Sequence, residues 1–552
     1  MKNAKKTQRN SQKPKKKQAV PLHPESMEAT LSGDAQLRET IAQQSGIIQE
    51  KEQTILAKNT VIDSLKDRVA ALEEYLRLER ARSYGRSSEK HPGQGHLFDE
   101  VEQANDQDDS EDAQSDDEPN AEASKKKTGN GGRKPLSPSI PREQIRLTLS
   151  DEAKEGAINT FFSVVKEELD IVPAKVRVIE YLQEKAVFIT TDDNNTSKRT
   201  IVTAPQPKHP LAGSIGSIGL LAYIIVAKYC DGLPLYRLEN ILQRYGGSIT
   251  RTTMANWMMR LSDELQPLIN LMREHQLSHQ YIQADETRIQ VLKEPDKAIT
   301  SDKYMWITLG GPPRQPAILF EYDPSRSKEV PLRLLDGFKG YLQTDGYAGY
   351  HAACTENDII HLGCMDHLRR KFMDAKKAEP KKTGKGKISK AGIAINKLKK
   401  LYAIEKSIKD LSADEKYDVR QKKSIPALND FKNWVDKHAP KSPSDSLLGK
   451  AFGYALNQWS KIVRYCDDGN LHISNIRAEN AIRPFVIGRK NWLFSDTPRG
   501  ARASATLYSL VETAKANNLE PYEYLRAMLK RLPYAENAED IEELLPWNIE
   551  ME

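Results

Sequence analysis

Cysteine is scarce in this 552-residue chain: there are four, Cys230, Cys354, Cys364 and Cys466, and no two stand as Cys-x-x-Cys. That excludes a disulfide framework and fits a reducing compartment. Long apolar runs are also missing. The longest, Gly219 to Ala227, is about nine residues, against the roughly 20 needed to span a bilayer. The first lysines are not followed by an apolar signal core, so a cytosolic protein without a membrane partner is expected. Basic residues are absent from Asp99 to Glu122, where twelve acids stand. Net charge is nevertheless +6, so the remainder is distinctly basic, as a polyanion binder would be. A merely soluble basic protein is the alternative.

The length implies several units. Residues 1–34 begin with Lys2, Lys5, Lys6, Arg9, Lys13, Lys15, Lys16 and Lys17, and read as a disordered basic arm that attracts phosphates or solubilises the chain. Residues 35–83 read as a coiled coil. Ile41, Ile48, Ile55, Ile62, Val69 and Leu76 recur every seventh position, with Gln44, Lys51, Lys58, Leu65 and Leu72 three positions after the first five. The seam is apolar on both lines only in its C-terminal half. That spacing predicts a left-handed supercoil and a homodimer or higher oligomer; a helix folded back on its own chain is the alternative. Residues 84–140 read as a disordered linker, acidic and then basic, ending in Gly132-Arg133-Lys134-Pro135.

Residues 141–210 show strand-like alternation at Val176, Val178 and Ala186 to Ile189, and predict a small β-containing unit. Residues 211–275 turn helical. An apolar helix from Gly219 to Lys228 is followed by a second through Leu235, Leu238, Ile241 and Leu242. After the turn Tyr245-Gly246-Gly247-Ser248 comes a third, capped by Thr250 and lined by Met254, Trp257, Met258, Leu261 and Leu265. This is a helix-turn-helix pattern that would present Arg251, Thr252, Thr253 and Asn256 to a DNA major groove. Plain helix packing is the alternative.

Three acids stand in scaffold-like surroundings: Asp285 in Gln283-Ala284-Asp285-Glu286-Thr287, Asp345 in Gln343-Thr344-Asp345-Gly346-Tyr347, and Glu479 in Arg477-Ala478-Glu479-Asn480-Ala481. The first two end strand-like runs and the third lies on a helix-like run. Strands at Tyr281–Asp285, Tyr304–Leu309 and Pro316–Phe320, a helix at Lys328–Leu335, a strand at Tyr341–Asp345, another at Ile359–Leu362 and a helix from Asp366 give the element order of the ribonuclease-H-like fold. Glu286 rivals Asp285, but one step along a strand it would point to the opposite face. Such a trio suits two Mg²⁺ (or Mn²⁺) ions, which favour carboxylate oxygens and activate phosphodiester transfer. Taken singly, each acid also has an ordinary reading, as a turn residue or as an i,i+4 ion pair between Glu479 and Arg483. The expected core therefore spans 276–375 and 466–515, interrupted by a mainly helical insertion at 376–465. A helical tail, 516–552, follows.

These motifs together resemble the DDE transposases of the insertion-sequence-66 family. The likeness is carried by Lys228-Tyr229-Cys230-Asp231-Gly232-Leu233-Pro234-Leu235-Tyr236-Arg237 and by the three acidic segments. It continues in Gly363-Cys364-Met365-Asp366-His367-Leu368-Arg369-Arg370-Lys371-Phe372, Gly488-Arg489-Lys490-Asn491-Trp492, Tyr508-Ser509-Leu510-Val511-Glu512-Thr513 and Leu545-Pro546-Trp547-Asn548. The resemblance covers roughly 205–550. It implies a multidomain α+β protein with an N-terminal coiled coil, a helix-turn-helix region and a ribonuclease-H-like catalytic core. It also implies a triad of Asp285, Asp345 and Glu479, and a bacterial, nucleoid-associated enzyme. Such an enzyme frees a 3′-hydroxyl at element ends and joins it to target DNA. DNA and small accessory proteins encoded nearby are the implied partners. Arg369, Arg370, Lys371, Arg483, Arg489 and Lys490 are the expected phosphate contacts.

One departure concerns zinc. The family commonly carries cysteine pairs before the helix-turn-helix, whereas no cysteine here precedes Cys230, so zinc is not expected in residues 141–210. Cys364 and His367, three apart, lack a second pair, so packing and a phosphate contact are expected of them. Glu479-Asn480 stands where the family usually has Glu-Arg. The competing functions are a catalytically inactive DNA-binding regulator and a plain ribonuclease-H-fold nuclease.

Overall fold

The computed structural model describes residues 24–84, 162, 175–191, 197–380 and 388–551. The expected linker, most of the basic arm and much of 141–210 lie outside the described residues.

Helix α1 runs unbroken over Pro24–Tyr84. Its start falls inside the segment expected to be disordered. The heptad residues from Ile41 to Leu76 remain exposed, between 46% (Ile62) and 62% (Leu72). Among the described residues, only the last turns meet the rest of the chain. Leu78 is buried, Arg82 pairs with Asp374 at 2.9 Å, the Arg77 Nε donates to the Ala378 carbonyl at 3.0 Å, and Glu74 accepts the Leu447 N–H at 3.0 Å. In residues 175–203 an antiparallel pair forms, β1 (Lys185–Thr191) with β2 (Ser197–Thr203). Val176 and Val178 precede it without regular structure.

Four helices follow: α2 (Ile218–Tyr229), α3 (Leu235–Arg244), α4 (Arg251–Glu264) and α5 (Gln266–Leu277). Ser217 caps α2 by accepting the Leu220 N–H, and Thr250 caps α4 by accepting the Thr253 N–H. The central sheet comprises β3 (Tyr281–Ile289), β4 (Lys303–Gly310), β5 (Ala317–Asp323), β6 (Tyr341–Gln343) and β7 (Ile360–Leu362), in the order β5-β4-β3-β6-β7. The β3–β4 and β4–β5 pairs are antiparallel; β3–β6 and β6–β7 are parallel. Helix α6 (Glu329–Leu334) links β5 to β6, and α7 (Tyr350–Glu356) links β6 to β7. Gly340, at φ 144°, lets β6 start hard against β3, since a Cβ there would lie 2.4 Å from the Gln280 carbonyl oxygen.

Alternation sorts the sheet's two faces. Ile282, Ala284 and Trp306 pack with Leu334, Phe338, Tyr350 and Ala353 on the α6–α7 side. Met305, Ile307 and Leu309 join the other, larger core with α2–α5. That core also takes in α13 (Ile476–Trp492), α14 (Pro498–Ala516), α15 (Pro521–Arg531) and residues up to Ile549. Between the sheet and α13 come α8 (Met365–Lys377), α9 (Lys390–Ser407), α10 (Ala413–Val419), α11 (Ile425–His438) and α12 (Leu447–Ile462); all of them except α10, which buries no residue, share a separate core around Phe372, Phe431 and Phe452. This apolar centre also takes in Leu362, Met365 and Leu368, so the inserted helices pack onto β7 and α8. The C-terminal residues do not trail away: Tyr524, Leu525, Met528 and Leu529 are fully buried against α2 and its neighbours.

Candidate active site

Three separate segments build the site, and a parallel register aligns two of them. Gln283 of β3 stands opposite Gln343 of β6. Side chains alternate with period two, so Asp285 and Asp345, each two residues further on, leave the same edge on the same face. Asp285 is still in β3, opposite Ile307; Asp345 is in the loop just past β6. Both are half-buried. One oxygen of each is tied to nearby backbone: Asp285 Oδ1 accepts the Glu286 N–H at 2.9 Å, and Asp345 Oδ1 accepts the Tyr347 N–H at 2.7 Å.

The same glutamines dock the helix that brings the third acid. Gln283 Nε2 donates to Gln343 Oε1 at 2.7 Å and to the Ser474 carbonyl at 3.1 Å, while Gln283 Oε1 accepts the Ala478 N–H at 3.3 Å. Gln343 Nε2 reaches the His472 carbonyl at 2.8 Å. Asn475 Nδ2 donates to the Ala284 carbonyl at 3.0 Å. One otherwise open N–H in the first turn of α13 is therefore capped from the neighbouring sheet rather than from its own chain. Both glutamines are fully buried, where leaving such groups unpaired is costly. Glu479 sits in the first turn of α13, only 3% exposed. Its Oε2 accepts from Arg370 Nη2 at 3.4 Å, and its Oε1 lies 3.6 Å from His367 Nδ1.

The electrostatics link the three acids. Burial, then the negative charges of Glu286, Glu479 and Asp345, hold the Asp285 carboxyl well above the ordinary range. Burial pushes Glu479 up to about 7; the charges of Asp366 and Asp345 add to this, and Arg370 opposes it. Carboxylates crowded in this way favour a cation among them. Among the described residues, the tightest donor group is Cys364, His367 and Glu479, whose ligand atoms lie within 4.8 Å of one another. The three expected carboxylates are spread more widely than that.

Glu286 faces the other way, as alternation requires. It accepts from Arg326 Nε at 2.9 Å and from the Tyr350 hydroxyl at 2.7 Å. Arg370 stands beside Glu479, Arg489 Nη1 donates to Thr287 Oγ1 at 3.4 Å, Arg483 is half-buried, and Lys371 and Lys490 are exposed. Arg369 departs from expectation. It is 5% exposed, near the Tyr402 ring, on the inner side of α8, and offers no surface to a phosphate. Cys364 is likewise interior, its Sγ accepting the Asn475 N–H at 3.3 Å. Arg251, Thr252 and Asn256 are exposed together at the start of α4, but on a different helix from the acids. Gln283 and Gln343 lie outside the expected set, yet the sequence marks them: Gln-x-Asp occurs in both segments, within β3 and at the end of β6.

The sequence model of the Transposase IS66 family matches residues 213–503, that of the IS66 C-terminal element matches 509–547, and that described as Transposase C of IS166 homeodomain matches 71–145. The chain belongs to the IS66 transposase family. It is similar to the uncharacterized protein y4qI of Sinorhizobium fredii (strain NBRC 101917 / NGR234), 34% identical over 69% of this chain and 70% of that protein. It is also similar to the uncharacterized protein y4jD of the same organism, 29% identical over 71% of this chain and 76% of that protein. Family membership supports a transposase that binds DNA. Among the described residues no helix is long and apolar enough to cross a membrane.

Proposed function

We propose that this protein is a DDE-type transposase that cleaves insertion-sequence ends and joins the freed 3′-hydroxyl to target DNA, with Asp285, Asp345 and Glu479 as the catalytic carboxylates. The sheet order, three antiparallel strands followed by two parallel ones with helices between, supports a ribonuclease-H-like core. The observation that carries the reading is the docking of Glu479's helix onto the two strands that bear the aspartates, through Gln283.

The residues fit divalent cations. The acids are hard oxygen donors. Asp285 and Asp345 each keep an Oδ2 with no hydrogen bond among the described residues, and buried Glu479 Oε1 has none. Asp285, Asp345 and Glu479 would hold the ions. A pair of Mg²⁺ or Mn²⁺ ions held by these carboxylates would supply the activation of the attacking oxygen and the stabilisation of the leaving one. The chain itself supplies orientation. The turn N–H groups fix one oxygen of each aspartate, and Arg370 fixes one oxygen of Glu479. Arg370, Arg489, Lys371, Lys490 and Arg483 surround the site with positive charge for the DNA backbone. Arg251, Thr252 and Asn256 are the proposed groove contacts, and the exposed seam of α1 is the proposed contact between protomers.

The test is a metal-dependent cleavage and strand-transfer assay on a duplex carrying the element's terminal repeat. The wild type is expected to nick at the repeat and to join the 3′-end to a second duplex. Cleavage without joining would identify a nuclease; end binding without cleavage would identify a regulator.

A further inference from the structure

Where α8 and α13 meet at the site, two buried polar atoms approach without a bond. His367 Nδ1, on α8, and Glu479 Oε1, on α13, are 3.6 Å apart, and neither finds a hydrogen-bond partner among the described residues. Glu479 is nearly sealed from solvent. An unpaired acceptor in such a place is costly, so the pair calls for something between its members. Two ligands of one cation with bonds of about 2.1–2.2 Å, in tetrahedral or cis-octahedral geometry, stand about 3–3.6 Å apart. The observed separation matches.

We propose that His367 is a further metal ligand, holding with Glu479 one edge of a mixed nitrogen–oxygen site for a divalent cation. This rests on the reading of Glu479 as a metal ligand and adds a donor of another kind. Cys364 is near enough to compete for the role, but its Sγ already accepts the Asn475 N–H and is enclosed between α8 and α13; it positions the two helices. Arg370 holds the other oxygen of Glu479 and leaves Oε1 turned to His367. An imidazole nitrogen is a poor donor for Mg²⁺ and a good one for Mn²⁺ or Zn²⁺. This position should therefore prefer Mn²⁺ over Mg²⁺.

The experiment is Mn²⁺ titration of the full chain, read by equilibrium binding and by pulsed electron paramagnetic resonance. Bound Mn²⁺ in the wild type is expected to show the ¹⁴N coupling of a directly bonded imidazole. His367→Gln is expected to lose that coupling and to bind Mn²⁺ roughly tenfold or more weakly. His367→Asp is expected to recover affinity without the coupling, and Cys364→Ser to keep both. Mn²⁺ binding that depends on Asp285 but shows no ¹⁴N coupling in the wild type would overturn the role of His367 and leave the carboxylate site standing. Coupling that persists in His367→Gln would do the same. Failure to bind Mn²⁺ at all would overturn both. The wild-type spectrum decides without any variant, so a folding defect in a variant does not block the test.

Discussion

Gln283 and Gln343 face each other across two parallel strands, and their side chains are joined by a 2.7 Å hydrogen bond. Two residues beyond each stands an aspartate, and Gln283 also holds the first turn of the helix carrying Glu479. One buried amide thus sets the distance between two strands and a helix drawn from well-separated parts of the chain. Gln283→Leu removes these bonds while keeping volume: the Ser474 carbonyl and the Ala478 N–H lose their side-chain partner, whereas Gln343 keeps the Tyr281 hydroxyl and the Gly363 and His472 carbonyls. It is expected to cost about 1–3 kcal/mol of stability and to lower cleavage more than end binding. Equal losses in cleavage and end binding in a folded variant would show that the amide serves the fold alone.

The α1 seam predicts self-association. Leu65, Val69 and Leu72 are exposed on a helix that, among the described residues, meets its own chain only in its last turns. Leu65→Glu with Leu72→Glu places charges on that seam and is expected to yield monomers in analytical ultracentrifugation, with the helical signal of the remainder unchanged. A double variant that sediments as the wild type does would place the contact elsewhere.

The start of α4 predicts DNA contact. Arg251→Ala should weaken binding to all duplexes and reduce the salt slope by about one unit. Asn256→Ala should cost roughly 1–3 kcal/mol, and only on the terminal repeat. Both residues are exposed and Thr250 keeps its cap, so neither change should unfold the helix. Unchanged binding in both would favour plain packing.

His472 predicts a pH dependence of stability. Burial first, then the positive charges of Arg477, Arg420 and Lys416, hold its imidazole at about 4, below the ordinary 6.5. The unfolded chain takes up a proton near 6.5 while the folded chain does so only near 4. The contribution is therefore complete above 6.5 and is lost as pH falls from 6.5 towards 4, at up to about 1.4 kcal/mol per pH unit. In urea unfolding at pH 7 and pH 5, His472→Gln should lose less stability than the wild type over that interval. Equal losses would remove His472 as the cause.

Much of this architecture is legible in the sequence because its signals are local. Alternation around Asp285 and around Tyr304–Leu309, the cap at Thr250 and the helical periods of α12 each lie within a dozen residues. What is less legible depends on partners far along the chain. The apolar positions of 516–552 have a helical period, but nothing local shows that Tyr524 and Met528 are buried against α2. Arg369 and Arg370 are adjacent and chemically identical; only the rotation of α8 makes one interior and the other a neighbour of Glu479. The pairing of His367 with Glu479 joins residues more than a hundred apart, and it needs the whole insertion folded between them.

The most direct measurement is anomalous diffraction at the manganese edge from crystals of the protein bound to a terminal-repeat duplex. The account predicts Mn²⁺ peaks bounded by Asp285, Asp345 and Glu479, lost together in Asp285→Asn. Ordered manganese elsewhere, with those three side chains unligated beside intact DNA, would contradict it.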